Sequence, residues 1–161
     1  MMSSSLDKTI KLWKDFKCVH TYTEHNDWIR CLGISPSNNY LLSGCVSSVI
    51  KGWDLKSNKV IFSLSNPNPD QSFLNTVNSL AFQNYSEDIF LCGMIILIQG
   101  LRDGSIKLYD IRMSNKIIQN FKAHNLKLNS VKFSKNDRYL LSSGRDNVAR
   151  LWDTRMLPVN R

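Results

Sequence analysis

Internal repetition constrains this chain more than any other feature. Two segments align without a gap: HNDWIRCLGISPSNNYLLSGCVSSVIKGWD, from His25 to Asp54, and HNLKLNSVKFSKNDRYLLSSGRDNVARLWD, from His124 to Asp153. In both, His and Trp are separated by 28 positions, and a Tyr-Leu-Leu-Ser run falls at the same offset. A third copy lies between them, as NTVNSLAF, then FLCG, then LRDGSIKLYD ending at Asp110. A fourth is represented by SSSLDKTIKLW, where Asp7 precedes Trp13 by six positions. Asp103 precedes Tyr109, and Asp146 precedes Trp152, by the same six. A repeat of this size is one supersecondary unit whose apolar face is buried only by stacking on its neighbours.

Inside each copy the period is two. Val131 and Phe133 alternate with polar residues, Leu140 and Leu141 form a short apolar run, and Val148, Arg150 and Trp152 follow at the same two-residue spacing. Asn-Asn, Asn-Asp, Asp-Gly and Asp-Asn pairs punctuate these runs, as tight turns between strands require. Sustained helical periodicity is missing, so the chain reads as all-β, with short strands at regular spacing.

Bulk properties fit an ordinary globular domain, with 42% hydrophobic and 21% charged residues. The 21 Lys+Arg against 13 Asp+Glu give a net charge of +8. That excess suits an acidic partner, but Lys and Arg are spaced singly, which reads first as a solvated basic surface. Cys18, Cys31, Cys45 and Cys92 have no ligand or redox spacing, so reduced thiols are expected. The N-terminal residues lack the apolar core of a secretory signal, and Ile89 to Ile98 is too short for a membrane helix. The expected compartment is cytoplasm or nucleus, with no membrane contact. No phosphate-binding glycine loop, metal-ligand cluster or nucleophile motif is present, which points away from an enzyme and from any cofactor or metal.

The marks KLW, KGWD, KLYD and RLWD, recurring over nearly the whole chain, resemble the WD-repeat family. That resemblance implies four-stranded antiparallel blades arranged radially as a β-propeller. It also implies, in each blade, a tetrad of strand-c Trp, strand-b Ser, loop His and turn Asp. His accepts from one partner and donates to the next, and Asp fixes its tautomer. The last repeat has all four in His124, Ser142, Asp146 and Trp152. The first full repeat has His25, Ser43 and Trp53, with Ser47 in place of Asp. The middle repeat has Asp103, places Tyr109 at the Trp position and lacks an upstream His. The last blade is therefore expected to be the best ordered, and the same architecture accounts for these Ser, His and Asp residues without catalysis.

Expected boundaries are the end of a blade at 1–24, a blade at 25–65, a blade at 66–122 and a blade lacking its last strand at 123–161. This is a partial propeller of about three and a half blades, a segment of a longer ring. Such an open arc exposes strand edges and apolar blade faces, so poor solution behaviour of the isolated chain is expected. The middle repeat is too long: Phe82 to Tyr109 spans 27 positions, against 19 from Ile34 to Trp53 and from Phe133 to Trp152. Residues 94–100, MIILIQG, read as an insertion whose removal restores FLCG-LRDGSIKLYD. A retained mini-intron or gene-model error is the expected origin, since the genetic code allows a stretch that begins with GT inside the Gly93 codon and ends with AG where the Gln99 and Gly100 codons meet. The alternative is a genuine insertion that lengthens or bulges strand b.

The family resemblance also places the residue preceding the turn Asp on the top of the ring, which here gives Leu6, Val46, Arg102 and Arg145. The two arginines suit an acidic peptide or phosphate through forked hydrogen bonds. Trp28 is expected to pack at a strand start or to stand as an aromatic anchor. YDIR and WDTR, ending consecutive repeats, are similar to the paired WDxR signature of cullin-4 ubiquitin-ligase substrate receptors. This resemblance implies docking on the ligase adaptor through Asp110, Arg112, Asp153 and Arg155, although WDLK, with Lys56, breaks the series. FSKNDRYLLSSGRDNVARLW resembles blades of messenger-RNA 3′-end processing factors, which implies a scaffold in an RNA-processing complex. No aromatic and basic platform for single strands is visible, so protein contacts are expected over direct nucleic-acid binding. Both readings are non-enzymatic protein scaffolds.

Overall fold

A computed structural model describes residues 1–65, 76–84, 96–110 and 116–157, with the side chains of 96–100, 110 and 116–118 left aside. The strands are β1 Met2–Ser4, β2 Ile10–Lys14, β3 Lys17–Tyr22, β4 Ile29–Ile34, β5 Tyr40–Cys45, β6 Ile50–Asp54 and β7 Lys59–Leu64. They continue as β8 Val77–Phe82, β9 Ile96–Leu101, β10 Ser105–Asp110, β11 Lys116–Lys122, β12 Leu128–Phe133, β13 Tyr139–Gly144 and β14 Ala149–Asp153. They make four antiparallel meanders in chain order: β1-β2-β3, β4-β5-β6-β7, β8-β9-β10-β11 and β12-β13-β14. These are the blades of a partial β-propeller, and they follow the copies read in the sequence.

Each blade repeats the same irregularities. The register of strand a on strand b slips between Ile29 and Cys31, between Val77 and Ser79, and between Leu128 and Ser130. The c–d register slips between Leu12 and Trp13, Gly52 and Trp53, and Leu108 and Tyr109, so a bulge turns the strand beside each aromatic residue. The residue after the turn Asp, or after Ser47, is left-handed in all four blades: Lys8 (φ 70), Ser48 (φ 68), Gly104 (φ 88) and Asn147 (φ 59). Gly104 is compelled for a second reason, because a Cβ there would lie 2.5 Å from the Leu126 carbonyl oxygen and would also strike that of His124.

The core lies between blades. Ile10, Tyr22, Ile29, Leu41 and Trp53 pack between the first and second sheets. Leu42, Ile50, Val77, Leu80, Phe82 and Tyr109 join the second to the third, and Ile106, Leu108, Leu128, Val131 and Leu140 join the third to the fourth. Alternation therefore has a specific cause: each strand shows one face to the blade before and the other to the blade after. Polar ties reinforce this stacking. Asn84 donates from Nδ2 to Asp137 Oδ1 at 2.8 Å and to the Ser134 carbonyl at 3.0 Å, and the Val131 N–H donates to Ser79 Oγ at 3.1 Å.

Strand b of the third blade differs from the sequence expectation. Residues 96–100 stand inside the ladder as β9, with Gln99 opposite Leu80, the register held by Ser43 opposite Leu32 and Ser142 opposite Val131. The segment read as an insertion thus supplies the strand, and FLCG lies outside the described residues. The physical reason is that Ile96–Gly100 (ILIQG) and Ile89–Gly93 (IFLCG) are both five-residue apolar runs ending in glycine, so the pattern offers two candidates for one strand.

Candidate functional site

The tetrad of the last blade is closed. Trp152 Nε1 donates to Ser142 Oγ at 2.9 Å, and Ser142 Oγ lies 2.8 Å from His124 Nε2. His124 Nδ1 lies 2.8 Å from Asp146 Oδ1. With the Ser142 hydroxyl donating to Nε2, the imidazole proton sits on Nδ1 and faces the carboxylate. Arg150, which the sequence reading did not single out, donates from Nη1 to Asp146 Oδ2 at 2.9 Å. That bond above all holds the Asp146 carboxyl well below the usual carboxylate range. Ser142 is fully buried and already accepts from Trp152, so this Ser-His-Asp set offers no nucleophile to solvent.

The second blade keeps half of this network. Trp53 Nε1 donates to Ser43 Oγ at 2.8 Å, and Ser43 Oγ lies 2.6 Å from His25 Nε2. His25 Nδ1 is buried without a hydrogen-bond partner. Ser47 lies 3.1 Å from Cys45 Sγ and leaves that nitrogen unmet. Burial, followed by the charge of Lys51, pushes the His25 imidazole down to about 4. In the first blade the pair Trp13 Nε1 to Ser3 Oγ, 2.8 Å, repeats the motif; Ser3 is ten positions before the Trp, as Ser43 and Ser142 are. In the third blade Asp103 instead closes its own turn, accepting from the Ser105 N–H and hydroxyl at 2.8 Å each. Tyr109 is buried, which raises its hydroxyl to about 12. The tetrad bonds tie the loop and strands b and c of a single blade to one another.

The WDxR residues divide. Asp153 accepts from Arg155 Nη2 at 2.6 Å, from Arg155 Nε at 3.0 Å and from the Arg155 backbone N–H at 3.0 Å. This forked pair, more than any other contact, brings the Asp153 carboxyl to about 2. It encloses the turn after strand c, as Asp54 does by accepting from the Lys56 N–H at 2.7 Å. The Asp110 side chain and Arg112 lie outside the described residues.

Arg102 and Arg145 do come together, and with more company than the sequence indicated. They line a cleft of about 530 Å³ with Arg30, Leu126 and Lys127. Arg30 comes from β4 of the second blade, Arg102 from the b–c turn of the third, and Lys127 and Arg145 from the fourth. Burial, then the charges of Arg30, Arg145 and Arg102, pushes the Lys127 ammonium below the usual lysine range. The Arg145 N–H donates to the Lys127 carbonyl at 2.8 Å, just as the Val46 N–H donates to Trp28 at 2.9 Å. Lys127 is thus the counterpart of Trp28, which stands 49% exposed beside Arg30.

A family model for the Nucleolar protein 10-like, N-terminal domain, a β-propeller, matches residues 11–156. The chain belongs to this family. As a WD-repeat protein it has several relatives of that architecture. Pre-mRNA-processing factor 19 homolog 2 of Arabidopsis thaliana is 24% identical over 98% of this chain and 28% of the relative. Pre-mRNA-processing factor 17 of Mus musculus is 24% identical over 95% of the chain and 25% of the relative. Autophagy-related protein 16 of Arabidopsis thaliana is 30% identical over 87% of the chain and 25% of the relative. The solved structure of U3-55K superimposes with a TM-score of 0.77 at 19% identity, over 96% of this chain and 45% of that one. At that identity the likeness shows the propeller fold alone. The chain spans 28% and 25% of the two pre-mRNA-processing factors, so their complete activities are not shared by default.

Proposed function

We propose that this chain is the propeller portion of a nuclear scaffold protein that assembles RNA-processing complexes through protein contacts. The match of residues 11–156 to the Nucleolar protein 10-like domain carries this reading. The likeness to two pre-mRNA-processing factors supports it. Propeller strands hold turns rigidly in place, and turns present binding groups without a catalytic centre. Among the described residues the basic cleft is lined by cations and one leucine, with no aromatic ring on which a base would stack, which favours protein over direct RNA contact.

A cullin-4 receptor role has weaker support. Arg155 is tied to Asp153 within its own turn, and docking would have to compete with that forked pair. Proximity labelling from the protein expressed at its own locus separates the two readings. The scaffold reading expects nuclear RNA-processing factors among the labelled proteins, retained after ribonuclease. Labelling dominated by the cullin-4 adaptor, and lost in Arg155→Ala, would restore the receptor reading instead.

A further inference from the structure

We infer that Arg30, Arg102, Lys127 and Arg145 form a docking site for an acidic peptide segment of a protein partner. This deepens the scaffold reading and rests on it. Four cations from three blades line one cleft of about 530 Å³. Like charges gathered at one place repel, and after burial the three guanidinium charges add to the lowering of the Lys127 ammonium, so the arrangement calls for an anion.

The neighbouring acids do not provide it. Asp103 turns its carboxylate onto Ser105, and Asp146 turns inward to His124 and Arg150. Asp27, on the loop beside Arg30, accepts from the Trp28 N–H at 2.7 Å. Among the described residues, none of the four cationic side chains makes an ion pair. Three guanidinium forks and an ammonium suit carboxylates or a phosphoryl group, which accept paired hydrogen bonds.

Two observations choose a peptide over a nucleic acid. Leu126, in the lining and 55% exposed, offers an apolar contact that a sugar-phosphate backbone would not use. Among the described residues of the lining there is no aromatic ring to stack a base. The Lys127 and Arg145 backbones are tied together by a 2.8 Å hydrogen bond, so the site is fixed on its turns in advance of binding.

The test is fluorescence anisotropy on the purified chain with four labelled probes: a Glu/Leu peptide, its Gln/Leu counterpart, a phosphoserine/Leu peptide and a U-rich single-stranded RNA. The proteins are wild type, Arg102→Glu/Arg145→Glu, the gentler Arg102→Gln/Arg145→Gln, and Lys59→Glu as a distant control, each checked for an unchanged melting transition. Expected is binding of the Glu/Leu or phosphoserine/Leu peptide but not the Gln/Leu one, weakened by salt. Charge reversal should lower affinity by roughly tenfold or more, neutralisation by less, and Lys59→Glu not at all. Which acidic probe binds better identifies carboxylate or phosphoryl as the anion. Peptide affinity equal in wild type and both arginine variants overturns the inference. So does the lack of acidic-peptide binding, or RNA binding that displaces the peptide and depends on the same residues. Purified components test the site without any complex, so its failure is distinct from failure of the scaffold reading, which proximity labelling decides.

Discussion

Gly144 lies against the His124 imidazole: a Cβ there would sit 2.6 Å from Nδ1 and 2.8 Å from Asp146 Oδ1. The glycine leaves the room in which the Asp reaches the His. Gly144→Ala should therefore push His124 and Asp146 apart, at a cost of about 2 kcal/mol in urea unfolding. An unchanged midpoint would show that the blade relaxes freely around the added methyl.

The second blade supplies the reciprocal experiment. Cys45 occupies the position of Gly144, and Ser47 that of Asp146, while His25 Nδ1 goes unmet. Cys45→Gly/Ser47→Asp should give that nitrogen an acceptor and raise stability by about 1 kcal/mol, whereas Ser47→Asp alone should not, lacking the room. Differential scanning calorimetry of both variants checks this, and a single substitution that stabilises as much as the pair would refute the role given to the glycine.

His25 makes stability depend on pH. Its imidazole is held at about 4 in the folded protein and returns to an ordinary value near 6.5 on unfolding. The folded state thus binds fewer protons between those values. The contribution is complete above about pH 6.5 and is lost as pH falls toward 4, by on the order of 2 kcal/mol. Unfolding free energies of wild type minus those of His25→Gln, measured across this window, should decline with falling pH. A flat difference would mean that the buried nitrogen is met by solvent.

Gly52 is covered by the Phe62 ring, which a Cβ would strike. The first and third blades have Leu12 and Leu108, packed on the core, at this position, so Phe62 fills from strand d what a leucine fills there. Gly52→Ala should destabilise by about 1–3 kcal/mol. The same change in a Phe62→Ala background should cost much less, and equal costs in the two backgrounds would argue against the pairing.

The repeat made the blades and the last tetrad legible, because strand period and motif spacing are local. The Trp13–Ser3 pair was missed, although the ten-position spacing it shares with Ser43–Trp53 and Ser142–Trp152 carries the signal. Arg30 and Lys127 were not legible, since Arg30 from the second blade and Arg102 from the third share a cleft with Lys127 and Arg145 of the fourth only when the blades stack. Arg150 reads as one more outward residue of strand c until the Asp146 turn folds back to it. In the third blade two apolar runs compete for one strand, and alternation alone does not choose between them.

Ribonuclease-treated co-purification of the protein tagged at its own locus, in wild-type and Arg102→Glu/Arg145→Glu forms, tests the scaffold reading most directly. The expected result is recovery of nuclear RNA-processing proteins with wild type, with at least one acidic partner lost from the charge-reversed form. Recovery of no such proteins, or their complete loss on ribonuclease treatment, would contradict a scaffold that acts through protein contacts.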